Sequence, residues 1–79
     1  MNARLPAGER RQQLLDVALA TFARQGYNDA SMNDIAEAAG VTKPVLYQHF
    51  SSKRDLFLEL LTALADELSQ VVRDAAAAA

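Results

Sequence analysis

The chain has 79 residues, with eight Lys and Arg against ten Asp and Glu, one His and no Cys, for a formal charge of −2. That length allows one small domain. The missing cysteines exclude a disulfide framework and a thiolate zinc site, and one histidine cannot build a His-based metal centre without several carboxylates converging on it. With 51% of positions hydrophobic and 23% charged, there is apolar material for a core, unlike the composition of a disordered tail. No run approaches the roughly 18 apolar residues of a membrane span, and residues 1–9 lack the apolar centre of a secretory leader, so a cytoplasmic location without membrane contact is expected. Because the total charge is mildly acidic, any case for nucleic-acid binding must rest on where the charges sit.

In chain order, residues 1–8 contain Asn2, Pro6 and Gly8 with no apolar period and read as a flexible arm carrying Arg4. From Glu9 onward Leu15, Ala18, Leu19 and Phe22 recur every three or four residues, with Leu14 and Val17 widening the stripe, which predicts an amphipathic first helix. Gly26 ends it with the left-handed freedom of a C-terminal cap, and Tyr27 is placed to fold its ring over the last turn. Ser31 and Asp34 have the spacing of a capping box, so a short second helix is expected from Met32 to Ala39, with Ile35, Ala36 and Ala39 as its apolar face.

Gly40 closes that helix, Val41 points inward, and Thr42 is the cap for a third helix from Lys43 to His49. Pro44 falls in its first turn, where a missing amide hydrogen costs nothing. Leu46 and Phe50, four apart, share its buried side. Ser52 caps a fourth helix from Lys53, whose stripe runs through Leu56, Phe57, Leu60, Leu61, Leu64, Leu68, Val71, Val72 and Ala75. About 25 residues at 1.5 Å each make it roughly 37 Å long.

The expected architecture is all-α: a three-helix bundle followed by a long fourth helix. Three short helices cover only the first turns of the fourth, which leaves Leu64, Leu68, Val71 and Val72 asking for another surface. A division at 9–61 for the bundle and 62–79 for a helix continuing into a further domain or an oligomer contact follows from this.

Residues 31–50 have the helix, glycine turn, helix order of a helix-turn-helix, homeodomain-like in outline. With Leu46 and Phe50 turned inward, the third helix presents Lys43, Pro44, Val45, Tyr47, Gln48 and His49. A merely solvated helix would alternate Glu, Lys and Gln. This set instead matches a major groove: guanine acceptors for Lys43, adenine or phosphate for Gln48, thymine methyls for Pro44 and Val45. From Ala38 to Arg54 there is no acid, while Lys43, Lys53 and Arg54 are present. Arg10 and Arg11, with Arg4, form a second basic cluster opposed only by Glu9. Ser31, Thr42 and Lys53 each open a helix, where amides and the positive dipole end suit phosphate.

The string Gly26-Tyr27, Ser31, Asp34-Ile35-Ala36-Glu37-Ala38-Ala39-Gly40-Val41-Thr42-Lys43, Leu46-Tyr47-Gln48-His49-Phe50, Ser52-Lys53 and Leu56 resembles the DNA-binding domain of the tetracycline-repressor (TetR) family, over nearly all of the chain from Arg10 to about Leu61. The resemblance implies a homodimeric transcriptional regulator, usually a ligand-responsive repressor. It also implies a C-terminal helical domain, absent from this sequence, that binds a small-molecule effector and forms the dimer. It places Lys43, Pro44, Val45, Tyr47 and Gln48 in or beside the major groove of a palindromic double-stranded operator, and Ser31, Thr42, Tyr47, His49 and Lys53 at phosphates. Where many relatives carry glycine or alanine this chain has Pro44, and where many carry a polar group it has Val45, which favours apolar contact with a thymine methyl there.

Blander readings stand beside these. Tyr27 reads as a packed cap aromatic, and Arg10 and Arg11 as a solvated helix start. His49 as a catalytic base lacks a nucleophile and an orienting partner, and no carboxylate pair or phosphate loop is present, so no enzyme activity, cofactor or metal is expected. The competing class is a helical protein–protein interaction module that meets partners through Pro44, Val45, Tyr47 and the stripe beyond Leu64 and does not bind DNA.

Overall fold

The structure, a computed structural model, describes residues 6–78; Arg4 and the rest of residues 1–5, and Ala79, lie outside the described residues. Four helices account for the described chain: α1 (Ala7–Gln25), α2 (Met32–Ala39), α3 (Lys43–His49) and α4 (Lys53–Ala78). The bounds of α2 and α3, and the start of α4, fall where the caps and periodicity put them.

The first helix differs. It begins at Ala7, two residues before the expected Glu9, so Ala7 and Gly8 belong to helix and not to an arm. Pro6 precedes it, with φ −56°, and its carbonyl accepts the Arg10 N–H at 2.8 Å. Proline and glycine favour an arm by composition, yet proline is tolerated at a helix start because the amides there have no intrahelical acceptor.

The turns follow from local chemistry. Ser31 Oγ accepts the Asp34 N–H at 2.9 Å and Asp34 Oδ2 accepts the Ser31 N–H at 3.1 Å, a complete capping box. At the far end of α2, Gly40 has φ 71° and ψ 29°, donates to the Glu37 carbonyl at 3.1 Å, and Val41 donates to the Ala36 carbonyl at 3.0 Å. That pair of bonds is a Schellman motif, and its left-handed residue is glycine because a Cβ is disfavoured there. Thr42 Oγ1 and Ser52 Oγ accept the Val45 and Asp55 amides at 3.4 and 3.0 Å to open α3 and α4.

The core lies where α1 packs on α2 and α4 and α2 packs on α3. Leu14, Ala18, Ile35, Leu46, Phe50 and Leu56 are fully or almost fully buried, and Leu60 is the last buried residue of α4. Tyr27 does fold over the end of α1, its ring centroid 5.6 Å from that of Phe22 and 4.8 Å from that of Phe57, while Phe22 and Phe57 meet edge to face at 5.5 Å. Such pairs add to the area they bury. Past Ala63, which still packs against the core, the helix leaves the bundle: Leu64, Leu68, Val71 and Val72 are exposed, Leu68 to 65%. Among the described residues no helix is long and apolar enough to cross a membrane.

Candidate nucleic-acid interface

Seven residues make a helix too short to stand in water alone, so α3 exists because its inner side is anchored. Leu46 is wholly buried and Phe50, just past its end, is 2% exposed. That anchoring turns the opposite face outward. Lys43, Pro44, Tyr47 and Gln48 are exposed, Val45 and His49 half-buried, and Tyr47 keeps 47% of its surface in solvent.

Two capped helix starts flank this face. Ser31 and Thr42 are both exposed, with their side-chain oxygens turned to the Asp34 and Val45 amides. Between α3 and the loop joining α1 to α2 lies an open concavity of about 450 Å³, lined by residues from Asn28 to Asn33 together with Lys43, Tyr47 and Lys53. The fold therefore brings Ser31, Lys43, Tyr47 and Lys53 to one depression. Thr42, Pro44, Val45, Gln48 and His49 do not line it. One acid, Asp29, is on its wall.

Three basic side chains are more engaged than their sequence positions suggest. Arg11, expected in a basic cluster with Arg10 and Arg4 opposed only by Glu9, pairs with Glu59 of α4, donates to the His49 carbonyl at 3.4 Å and stands 4.7 Å from the Phe50 ring centroid. It thus closes the carbonyl end of α3 and ties it to α4, which removes it from the basic cluster proposed around Arg10. Arg10 donates to Gln13, whose amide reaches the Ala39 carbonyl at 3.2 Å. Lys53 Nζ donates to the carbonyls of Tyr27 at 2.6 Å, Ala30 at 2.9 Å and, more distantly, Asn28 at 3.5 Å, and lies 4.3 Å from the Tyr27 ring centroid.

The loop carbonyls that receive Lys53, and the Arg11 contacts, escaped sequence reasoning. Partners 26 and 38 residues apart leave no periodic signature. The only local hint is that a lysine in the first turn of a helix opposes the helix dipole and calls for a compensating acceptor.

The family model described as bacterial regulatory proteins, tetR family, matches residues 14–60. Over 72 residues the chain is 54% identical to the HTH-type transcriptional activator FasR of Mycolicibacterium smegmatis, covering 91% of this chain and 33% of that protein. It is 42% identical over 59 residues to the HTH-type transcriptional repressor KstR2 of Rhodococcus jostii, covering 75% and 29%. The crystal structure of a TetR-like transcriptional regulator from Rhodococcus sp. RHA1 superposes with a TM-score of 0.85 at 34% identity, over 92% of this chain and 40% of that one. The chain spans about a quarter to a third of the length of the curated relatives it matches.

Proposed function

The chain belongs to the tetR family of bacterial regulatory proteins, and we propose that it is the DNA-reading domain of a transcriptional regulator that occupies a palindromic operator and catalyses no reaction. One observation carries the reading: an acid-free outward face, Lys43, Pro44, Tyr47 and Gln48, mounted on buried Leu46 and Phe50. Lys43 and Gln48 hydrogen-bond base edges in the major groove, Pro44 and Val45 meet thymine methyls, and Tyr47 spans groove and backbone. Ser31, Thr42 and His49 stand at phosphates on either side.

Two copies present their α3 helices about 34–36 Å apart to successive major grooves on one side of the duplex. In the longer protein a C-terminal helical domain forms the homodimer and takes a small-molecule effector, and α4 carries the change in spacing to the reading heads. The site of action is the bacterial cytoplasm. The relatives include a named activator and a named repressor. Repression is the expected sign when the operator overlaps a promoter, since occupancy then excludes polymerase.

The exposed α4 stripe favours a protein contact as well, but it lies on a different part of the molecule and complements DNA binding. Selection of bound duplexes from a random pool, followed by gel shift over a salt series, tests the assignment. Lys43→Ala and Tyr47→Ala each weaken binding to the selected duplex by about 1–3 kcal/mol. If the chain selects no sequence, or if both variants bind like the parent, α3 does not read DNA.

A further inference from the structure

The Lys53 ammonium has three N–H donors, and three loop carbonyls surround it, those of Tyr27 and Ala30 at 2.6 and 2.9 Å and that of Asn28 at 3.5 Å. The Tyr27 ring, 4.3 Å away, supplies a further face of negative potential. That ring is itself held by Phe22 and Phe57. A cation so placed is fully coordinated, and leaving for a phosphate would strip the two short hydrogen bonds from their acceptors.

We propose that Lys53 is a positioning residue for DNA binding: it clamps the loop between α1 and α2 to the start of α4, and so holds Ser31, Lys43 and Tyr47 together in the lining of one concavity. The inference rests on the DNA-binding reading above and reassigns Lys53 within it, from phosphate contact to clamp. The topology explains why a clamp is needed there. Ser31 follows the loop residues Tyr27 to Ala30, whereas α3 is joined to α4 only through Phe50 to Ser52. Lys53 is the side chain that bridges these two connections, and it also lines the concavity between them. Without it the loop keeps the Ala30 N–H bond to the Gly26 carbonyl at 3.1 Å and the packing of Tyr27 on Phe57, but loses its hydrogen bonds to the start of α4.

A phosphate contact and a clamp predict different behaviour when the side chain changes. Removing a phosphate contact lowers the slope of log K against log salt by about 0.9. Removing a clamp lowers the fraction of molecules competent to bind, which shifts the whole line down without turning it. Arginine separates the two as well: its planar fork serves a phosphate but cannot take the seat of a compact ammonium among three carbonyls.

The experiment measures gel-shift affinity of the parent chain, Lys53→Met and Lys53→Arg for a duplex selected by the parent from a random pool, across a salt series. Amide hydrogen exchange of residues 27–31 is followed in the absence of DNA. Both variants are expected to bind about tenfold more weakly at every salt, with slopes near the parent's, and to exchange the loop amides faster. A slope reduced by about 0.9 in Lys53→Met, restoration by Lys53→Arg and unchanged loop exchange would overturn the clamp. Should Lys53→Met lose its helical signal, Lys53→Arg alone decides, since weakened binding with fast loop exchange supports the clamp and parent-like binding refutes it. A parent that binds no duplex sinks the functional reading and this role in it, and is told apart from failure of the clamp by the parent's own affinity.

Discussion

Two exposed surfaces of this chain invite a partner, and they differ in kind. The face of α3 combines a cation, an amide and a phenol with small apolar groups, and lies inside a stretch free of acid from Ala38 to Arg54. The distal part of α4 shows Leu64, Leu68, Val71 and Val72 interspersed with Asp66, Glu67 and Asp74. Acids among these residues repel a phosphate backbone, and Leu and Val side chains give a base edge no hydrogen bonds. The first surface fits a polyanion with a coded pattern of donors, and the second fits another apolar helix. Net charge, which is −2 for the chain, conceals this division because the acids are concentrated away from α3.

The sharpest way to break the contrast is to make one change on each surface's supporting leucine. Leu46 is wholly buried beneath the α3 face, whereas Leu68 is 65% exposed. Leu46→Ala should cost about 2–5 kcal/mol of stability and abolish DNA binding with it. Leu68→Ala should stay within about 0.5 kcal/mol in the 79-residue chain. Denaturant unfolding of both variants checks this, and equal losses would mean that the distal stripe is already part of the core.

A charge change sharpens it next. Gln48→Glu puts an acid on the exposed α3 face, while Gln70→Glu puts one on the exposed distal helix. Gln48→Glu should weaken DNA binding by about 1–3 kcal/mol, with the loss largest at low salt, and Gln70→Glu should leave it unchanged. Gel shifts at two salt concentrations suffice. Equal losses in the two variants would make the effect one of total charge and would remove α3 from its special position.

The two regions were also unequally legible. Around α2 and α3 three of the four boundaries are set by neighbours in the chain: Ser31 with Asp34, Gly40 with Glu37 and Ala36, Thr42 with Val45. Local chemistry of this sort is written in spacing, and both helices lie where it puts them. The exposure of the distal α4 stripe was legible too, because three short helices cannot cover a fourth of 26 residues. The start of α1 was not, since Pro6 and Gly8 read as arm residues although proline suits a helix entrance. Lys53 was read for its charge and for its place at a helix start, both of which suggest phosphate. Its carbonyl seat exists only once α4 has folded back on the loop after Gly26. The same holds for Arg11, whose partners Glu59 and His49 come from two later helices.

The smallest effects come from removing a hydroxyl in each region, and they should differ in sign. Ser31 Oγ accepts the Asp34 N–H at 2.9 Å at the head of α2, satisfying an amide that has no acceptor within the helix. Ser31→Ala removes that acceptor and half of the capping box, and should cost about 1 kcal/mol. For a domain of this size that lowers Tm by about 4–8 °C. Thr62 Oγ1 instead donates to the Leu58 carbonyl at 3.0 Å within α4, an acceptor already used by the helix. Such a back-bond adds little and slightly bends the helix, while alanine has the higher helix propensity. Thr62→Ala should therefore raise stability by a few tenths of a kcal/mol, within reach of a thermal melt run beside the parent. The sign difference follows from what each oxygen meets: a bare amide at the entrance of α2, a satisfied carbonyl in the body of α4. Were Thr62→Ala to cost as much as Ser31→Ala, the middle of α4 would have to be held by tertiary contacts of the kind found where α4 packs in the bundle.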